Sequence, residues 1–169
     1  IIKYGRWINS DSVFLKRLKR TIKNLIMAIP LAVKIKKLKC KIVYTNTSTI
    51  LTGAIAAKLL NIPHIWHFRE FGFEDYGYQY DLGAKVSQIL TNYLSTICLT
   101  NSYAVKRKYD KFIPSNKLII LYESYKKEKH KIDSTINYSI DTNFFNCIMI
   151  GTLHSAKGHV DAIHSTKLL

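Results

Sequence analysis

Cysteine, proline and glycine are all scarce in this chain, at three, three and seven of 169 residues. Cys40, Cys98 and Cys147 are odd in number and far apart, which excludes a disulfide framework and suits buried thiols that fill a core in a reducing compartment. No CxxC pair, HExxH or clustered His/Cys/Asp spacing is present, so a structural zinc or a metalloprotease site has no support, and no metal is expected. Long apolar runs are missing too. The longest uncharged stretch, residues 86–105, is interrupted by Ser87, Gln88, Thr91, Asn92 and Ser95 among others, far too polar for a bilayer interior. The expectation is a cytoplasmic protein, at most peripheral on the inner face of a membrane.

Acidic residues are few as well, 11 against 26 Lys and Arg, for a formal charge of +15. The excess is uneven. Residues 1–41 carry twelve Lys and Arg against Asp11 alone, and residues 106–131 carry nine against three acids. Between them, residues 42–105 hold only Lys58, Arg69 and Lys85 against Glu70, Glu74, Asp75 and Asp81. Basicity is peripheral to the middle of the chain. What is abundant is apolar residues, 47% of the total, enough for a packed core and against disorder.

From Asp11 onward Phe14, Leu15, Leu18, Ile22, Leu25, Ile26 and Ile29 follow helical spacing, with Ser10 or Asp11 as N-cap and Pro30 ending or kinking the helix. Lys16, Arg17, Lys19, Arg20 and Lys23 occupy the opposite side, and Lys34 to Lys41 extend the charge, giving a basic amphipathic helix suited either to packing on a sheet or to an anionic membrane surface. Ile42-Val43-Tyr44 then reads as a strand, Thr45 to Ser48 as a loop and residues 50–60 as a capped helix. Pro63 introduces a second strand, His64-Ile65-Trp66-His67-Phe68. A further helix with Val86, Ile89, Leu90, Tyr93 and Leu94 on one face, a strand at residues 97–100, a helix capped by Ser102 and a strand at residues 118–122 complete the alternation. Such alternation predicts an α/β fold: a Rossmann-like parallel sheet with helices on both faces. Residues 123–143 lose all periodicity and read as a linker, after which residues 144–150 form a buried strand, 151–158 a loop and 160 onward a helix, the first βα unit of a second Rossmann-like domain.

In open parallel sheets ligands sit at the carboxyl ends of the strands. The residues there are Thr45, Asn46 and Thr47, then Arg69 and Glu70, then Asn101 and Ser102, and in the second unit Gly151, Thr152, Lys157 and Gly158. His67, on the face of the strand opposite Trp66, is a weaker candidate than Arg69 and Glu70. The loop of residues 71–81 mixes Phe71, Phe73, Tyr76, Tyr78 and Tyr80 with Glu74, Asp75 and Asp81, the combination of rings and carboxylates that holds sugars. The loop at 151–158 leads into a helix, where oriented N–H groups and Lys157 would attract phosphate; it is neither a Walker loop nor GxGxxG.

Taken in order, Ile42-Val43-Tyr44-Thr45-Asn46-Thr47, Pro63-His64-Ile65-Trp66-His67-Phe68-Arg69-Glu70, Leu99-Thr100-Asn101-Ser102, Asn116 to Tyr122 and Ile150-Gly151-Thr152-Leu153 with Lys157-Gly158 resemble glycosyltransferase family 4. Its members are retaining enzymes of the GT-B fold. The resemblance runs from about residue 40 to the end and implies an acceptor-side domain over residues 1–122, a linker over 123–143 and the start of a nucleotide-sugar-binding domain over 144–169. It implies transfer from a nucleotide-diphosphate sugar to a glycan or lipid-linked acceptor. Arg69 and Glu70 would be catalytic, Gly151, Thr152, Lys157 and Gly158 donor-binding, and Asn46, Thr47, Phe73, Tyr76 and Asn101 acceptor-binding. Thr152 stands where the family usually has arginine, and Arg69 where it commonly has histidine. No DxD motif is present, in keeping with metal-independent chemistry in that class. The resemblance also implies a fragment, inactive alone, whose first strand lies before Ile1 and whose sugar site lies beyond Leu169. The basic composition allows two other readings, a nucleic-acid-binding module or a non-catalytic α/β domain; no nucleic-acid motif is visible, and nucleic acid is not an expected partner.

Overall fold

A computed structural model of the chain describes residues 6–9, 13–124 and 141–168. They belong to two compact units, Ile1–Glu123 and Ser124–Leu169. The elements of the first run β1 (Ile8–Asn9), α1 (Phe14–Lys37), β2 (Val43–Thr45), α2 (Thr52–Leu59), β3 (His64–Phe68), α3 (Phe73–Tyr76), β4 (Gln79–Tyr80), α4 (Ala84–Leu94), β5 (Ile97–Thr100), α5 (Tyr103–Tyr109) and β6 (Leu118–Ile120).

Four strands form one parallel sheet in the order β2-β3-β5-β6, flanked by helices, an α/β arrangement consistent with a Rossmann-like fold. A separate two-stranded ribbon pairs Ile8 with Tyr80 in antiparallel fashion. The parallel register places Thr45, Trp66, Cys98 and Leu118 in one row, so their side chains share a face. That face carries the core, where Trp66, Phe68, Cys98 and Leu118 meet Ala54 of α2, Leu94 of α4 and Val105 and Tyr109 of α5. Strands added successively in one direction through right-handed crossovers put their helices on one side. The flanking helices that the alternation calls for are gathered, among the described residues, on this core face, and Tyr44 and Ile119 of the opposite face are exposed. Ring stacking knits the centre: Trp7 on Trp66, Trp66 on Phe68, and Phe68 on Tyr109 with centroids 4.2 Å apart.

Helix α1 departs from its sequence reading in three ways. Ser10 and Asp11 lie outside the described residues, and the N-cap position is taken by Val13 without a side-chain cap. Pro30 does not end the helix, one of the two outcomes expected of it, and the helix runs on to Lys37 and takes in much of the second lysine run. The third departure matters most: the large apolar side chains do not pack inward. The buried positions are Asn24, Ala28, Ala32 and Ile35, where small side chains let α1 and α2 approach closely around Ala56. Asn24 accepts a 3.0 Å hydrogen bond from the Thr52 hydroxyl across that contact. Arg17 and Arg20 are not a solvated flank either. Arg17 donates to Gln79, and Arg20 grips the buried Asp81 carboxylate through Nε and Nη2 at 2.9 and 2.5 Å.

Helix α4 repeats the lesson. Ser87, Thr91 and Leu94 are buried while Val86, Ile89 and Tyr93 point outward, so the apolar face read from the sequence is only partly the packed one. Helix α2 begins at Thr52 with Leu51 in the cap position and no side-chain cap. Ser102 does cap α5, accepting from the Val105 amide at 3.2 Å. Of the three cysteines only Cys98 is buried; Cys40 and Cys147 are exposed and fill no core.

In the second unit, residues 144–150 form no strand, and Phe145, Ile148 and Ile150 are each more than 85% exposed. A strand persists only where a neighbour pairs with its backbone, and the described residues of this unit supply none. The loop that follows contains a 3-10 turn, Ser155–Lys157, and leads into α6 (His159–Ser165). Gly158 precedes α6 with φ of +69°, a left-handed conformation that favours glycine. The expected linker falls largely on residues 125–140, outside the described residues.

Candidate functional site

Polar side chains converge at the carboxyl end of the sheet, where β2, β3 and β5 release their chains side by side. The centre is Glu70. Its Oε1 accepts from the Thr47 hydroxyl at 2.7 Å, the Ser48 amide at 2.8 Å and the Ser48 hydroxyl at 2.9 Å. From beneath, the Trp66 indole donates to the Thr47 carbonyl and the Trp7 indole to the Ser48 carbonyl, both at 2.7 Å. The turn after β2 is therefore held by one carboxylate and two buried tryptophans. Glu70 is foremost a group that positions Thr47 and Ser48, since the oxygen that meets them already has three donors.

Arg69 projects to solvent and pairs with Glu123, beyond β6. Its carbonyl accepts from Asn101 Nδ2 at 3.2 Å, which joins the end of β3 to the end of β5. Asn101 Oδ1 is buried without a hydrogen-bonding partner. Asn46 is exposed beside this cluster in sequence. The structure thus brings Thr47, Arg69, Glu70 and Asn101 to one edge. Ser48, Trp7 and Trp66 join them without having been singled out by sequence. Ser48 adjoins a named candidate, Trp66 reads only as a strand residue, and no local pattern marks Trp7.

On the face of the sheet opposite the core, Tyr44 Oη and His67 Nδ1 are 2.6 Å apart, while His67 Nε2 is buried without a partner. Burial first, and then the nearby Arg69 charge, hold the His67 pKa below its ordinary value, so the ring is neutral near pH 7.

The aromatic loop is more ordered than its composition suggests, since it contains α3 and β4. Gly72, Gly77 and Gly83 adopt positive φ around these short elements. Its rings Phe71, Phe73, Tyr78 and Tyr80 line a cavity of about 390 Å³ completed by Tyr109 and Phe112 of α5 and its end. Lys108 fastens the loop by donating to the Phe71 carbonyl and to Glu74. Burial pushes the Tyr80 phenol up to about 12 and Tyr109 well above its ordinary value, so both stay protonated. Phe73 is a half-exposed part of this lining; the Tyr76 side chain lies outside the described residues.

Gly151, Thr152 and Lys157 are exposed in the second unit, and Gly158 is half-buried there. Gly151 is approached by the ring of His159. Helix α6 spans only 7 residues, too short to lend its N-terminus much dipolar attraction, and Lys157 is the lysine of the loop before it.

Replacing Glu70 with alanine is expected to leave the Ser48 amide without its acceptor and to lower stability by about 1–3 kcal/mol. Glutamine retains an acceptor oxygen and should restore part of the loss. Chemical denaturation together with amide exchange at Ser48 checks this; unchanged protection at Ser48 in the alanine variant would refute the clamp. No protein-family profile, curated protein or solved structure matches this chain.

Proposed function

We propose that the chain is part of a retaining glycosyltransferase that moves a sugar from a nucleotide-diphosphate donor to a glycan or lipid-linked acceptor, as in cell-surface polysaccharide synthesis. The observation that carries the reading is the convergence of Thr47, Arg69, Glu70 and Asn101 at the carboxyl ends of three adjacent parallel strands, where open α/β sheets bind ligands. The neighbouring aromatic cavity supports it, since ring faces suit the apolar faces of sugars. In this reading Thr47 and Asn101 meet the acceptor and Glu70 fixes their setting. Departure of the nucleotide diphosphate develops negative charge, which Lys157 stabilises in the second unit. Arg69 stays paired with Glu123 at the edge of the first unit. The enzyme acts in the cytoplasm, at most peripheral on the inner face of a membrane; no described helix is long and apolar enough to cross one.

The test uses the full-length parent enzyme. Transfer is expected to persist in a chelator, and Lys157→Ala is expected to weaken donor binding by roughly tenfold to a hundredfold, the worth of one charge-assisted phosphate contact. Complete loss of activity in chelator, or unaltered donor affinity in the variant, would count against the proposal.

A further inference from the structure

The outward face of α1 is a surface that neither the packing of the described residues nor the proposed site uses. Successive helical residues turn by about 100°. Phe14, Leu18, Ile22, Leu25, Ile26, Ile29 and Val33 consequently fall within one arc, and each is 45–72% exposed. The inward arc is already occupied by Asn24, Ala28, Ala32 and Ile35 against α2, and by Arg17 and Arg20 against Gln79 and Asp81. Lys19, Lys23 and Lys34 follow the apolar arc along one flank and are exposed. A helix of 24 residues thus presents an apolar stripe with a row of ammonium groups beside it, on the side opposite its contacts with α2.

We infer that α1 is a docking surface for an anionic lipid bilayer, lying in the plane of the interface with its apolar arc among the acyl chains and Lys19, Lys23 and Lys34 at the headgroups. Two features select this occupant. Stripe and lysines are arranged side by side on one helix, the pattern of interfacial helices, whose long cationic side chains reach the headgroups while the apolar face sinks in. A second copy of the chain would bring two such lysine rows together, and the net charge of +15 opposes that contact while favouring an anionic sheet of lipid. The inference does not depend on the glycosyltransferase reading, because it concerns attachment and not transfer.

Co-sedimentation of the chain with vesicles of phosphatidylcholine alone, and of phosphatidylcholine with phosphatidylglycerol, tests it. Binding is expected only to the mixed vesicles, weakening as salt rises. Lys19→Gln, Lys23→Gln and Lys34→Gln together should reduce apparent affinity at least roughly tenfold. Leu18→Ser, Ile22→Ser and Ile26→Ser together should abolish sedimentation while leaving the thermal midpoint unchanged, since these side chains are exposed. Equal binding by either variant and the parent chain, or none by the parent at low salt, overturns the proposal. A stripe variant with a lowered midpoint would show that the face packs within the protein, and lipid-free self-association that the stripe variant dissolves would assign it to a second copy; each outcome also overturns it.

Discussion

Trp66→Ala is expected to destabilise the first unit by about 3–5 kcal/mol, a large part of the stability of a domain this size. The side chain is fully buried, lies between Trp7 and Phe68 with ring centroids 5.6 and 5.7 Å away, and meets His64 edge-on. Removing it opens a cavity at the middle of the central strand pair and takes away the 2.7 Å hydrogen bond to the Thr47 carbonyl. Trp66→Phe keeps most of the volume but not the N–H. It should cost about 1–2 kcal/mol, concentrated at the turn after β2. Denaturant titration monitored by circular dichroism separates the two; equal losses for both variants would mean that packing contributes nothing beyond the indole hydrogen bond.

Acid should unfold the first unit earlier than its surface composition suggests, because of His64. This residue is 1% exposed, with Nε2 at 2.8 Å from Thr45 Oγ1 and Nδ1 buried without a partner. Burial lowers its pKa from 6.5 to about 4. A group whose folded pKa is depressed favours the folded state above its unfolded pKa, and that contribution is lost as pH falls through the folded value. The window therefore runs from about pH 6.5 down to about pH 4, across which about 3 kcal/mol of stability should disappear. Unfolding free energies measured at pH 7 and at pH 4 check the size of the loss. His64→Asn, which cannot take up a proton, should flatten the profile in this window even if it is less stable at pH 7. A variant as acid-sensitive as the parent would place the effect elsewhere.

Strand and helix alternation was legible because it depends on local pattern: β-branched runs ended by Asn, Pro or Ser, and a serine cap at Ser102. The facing of β3 was legible too, since alternation alone puts His64, Trp66 and Phe68 on one side. The packed faces of α1 and α4 were not. A periodic stripe of large apolar residues marks a face that avoids water, but it does not name its neighbour, and the contact with α2 went to Asn24, Ala28 and Ala32 because small side chains permit close approach. The failure at residues 144–150 has the same origin. Apolar composition favours burial, yet a strand needs a pairing partner that no local pattern supplies. At the candidate site, position after a strand was enough to find Thr47, Glu70, Arg69 and Asn101. Their relations were beyond sequence, because the Glu70 contact with Thr47 and Ser48 spans more than twenty residues and exists only once β2 and β3 pair.

The tryptophan clamp on the Thr47-Ser48 turn has an optical consequence. The chain contains two tryptophans, and both donate an indole N–H to carbonyls of that single turn while lying 5.6 Å apart and stacked. Intrinsic emission excited at the red edge therefore comes entirely from fluorophores hydrogen-bonded to the candidate site. Rearrangement of that turn by a bound molecule would shift their spectrum and alter their near-ultraviolet ellipticity without any attached label. The buried rings that hold the turn in place are also its built-in reporter.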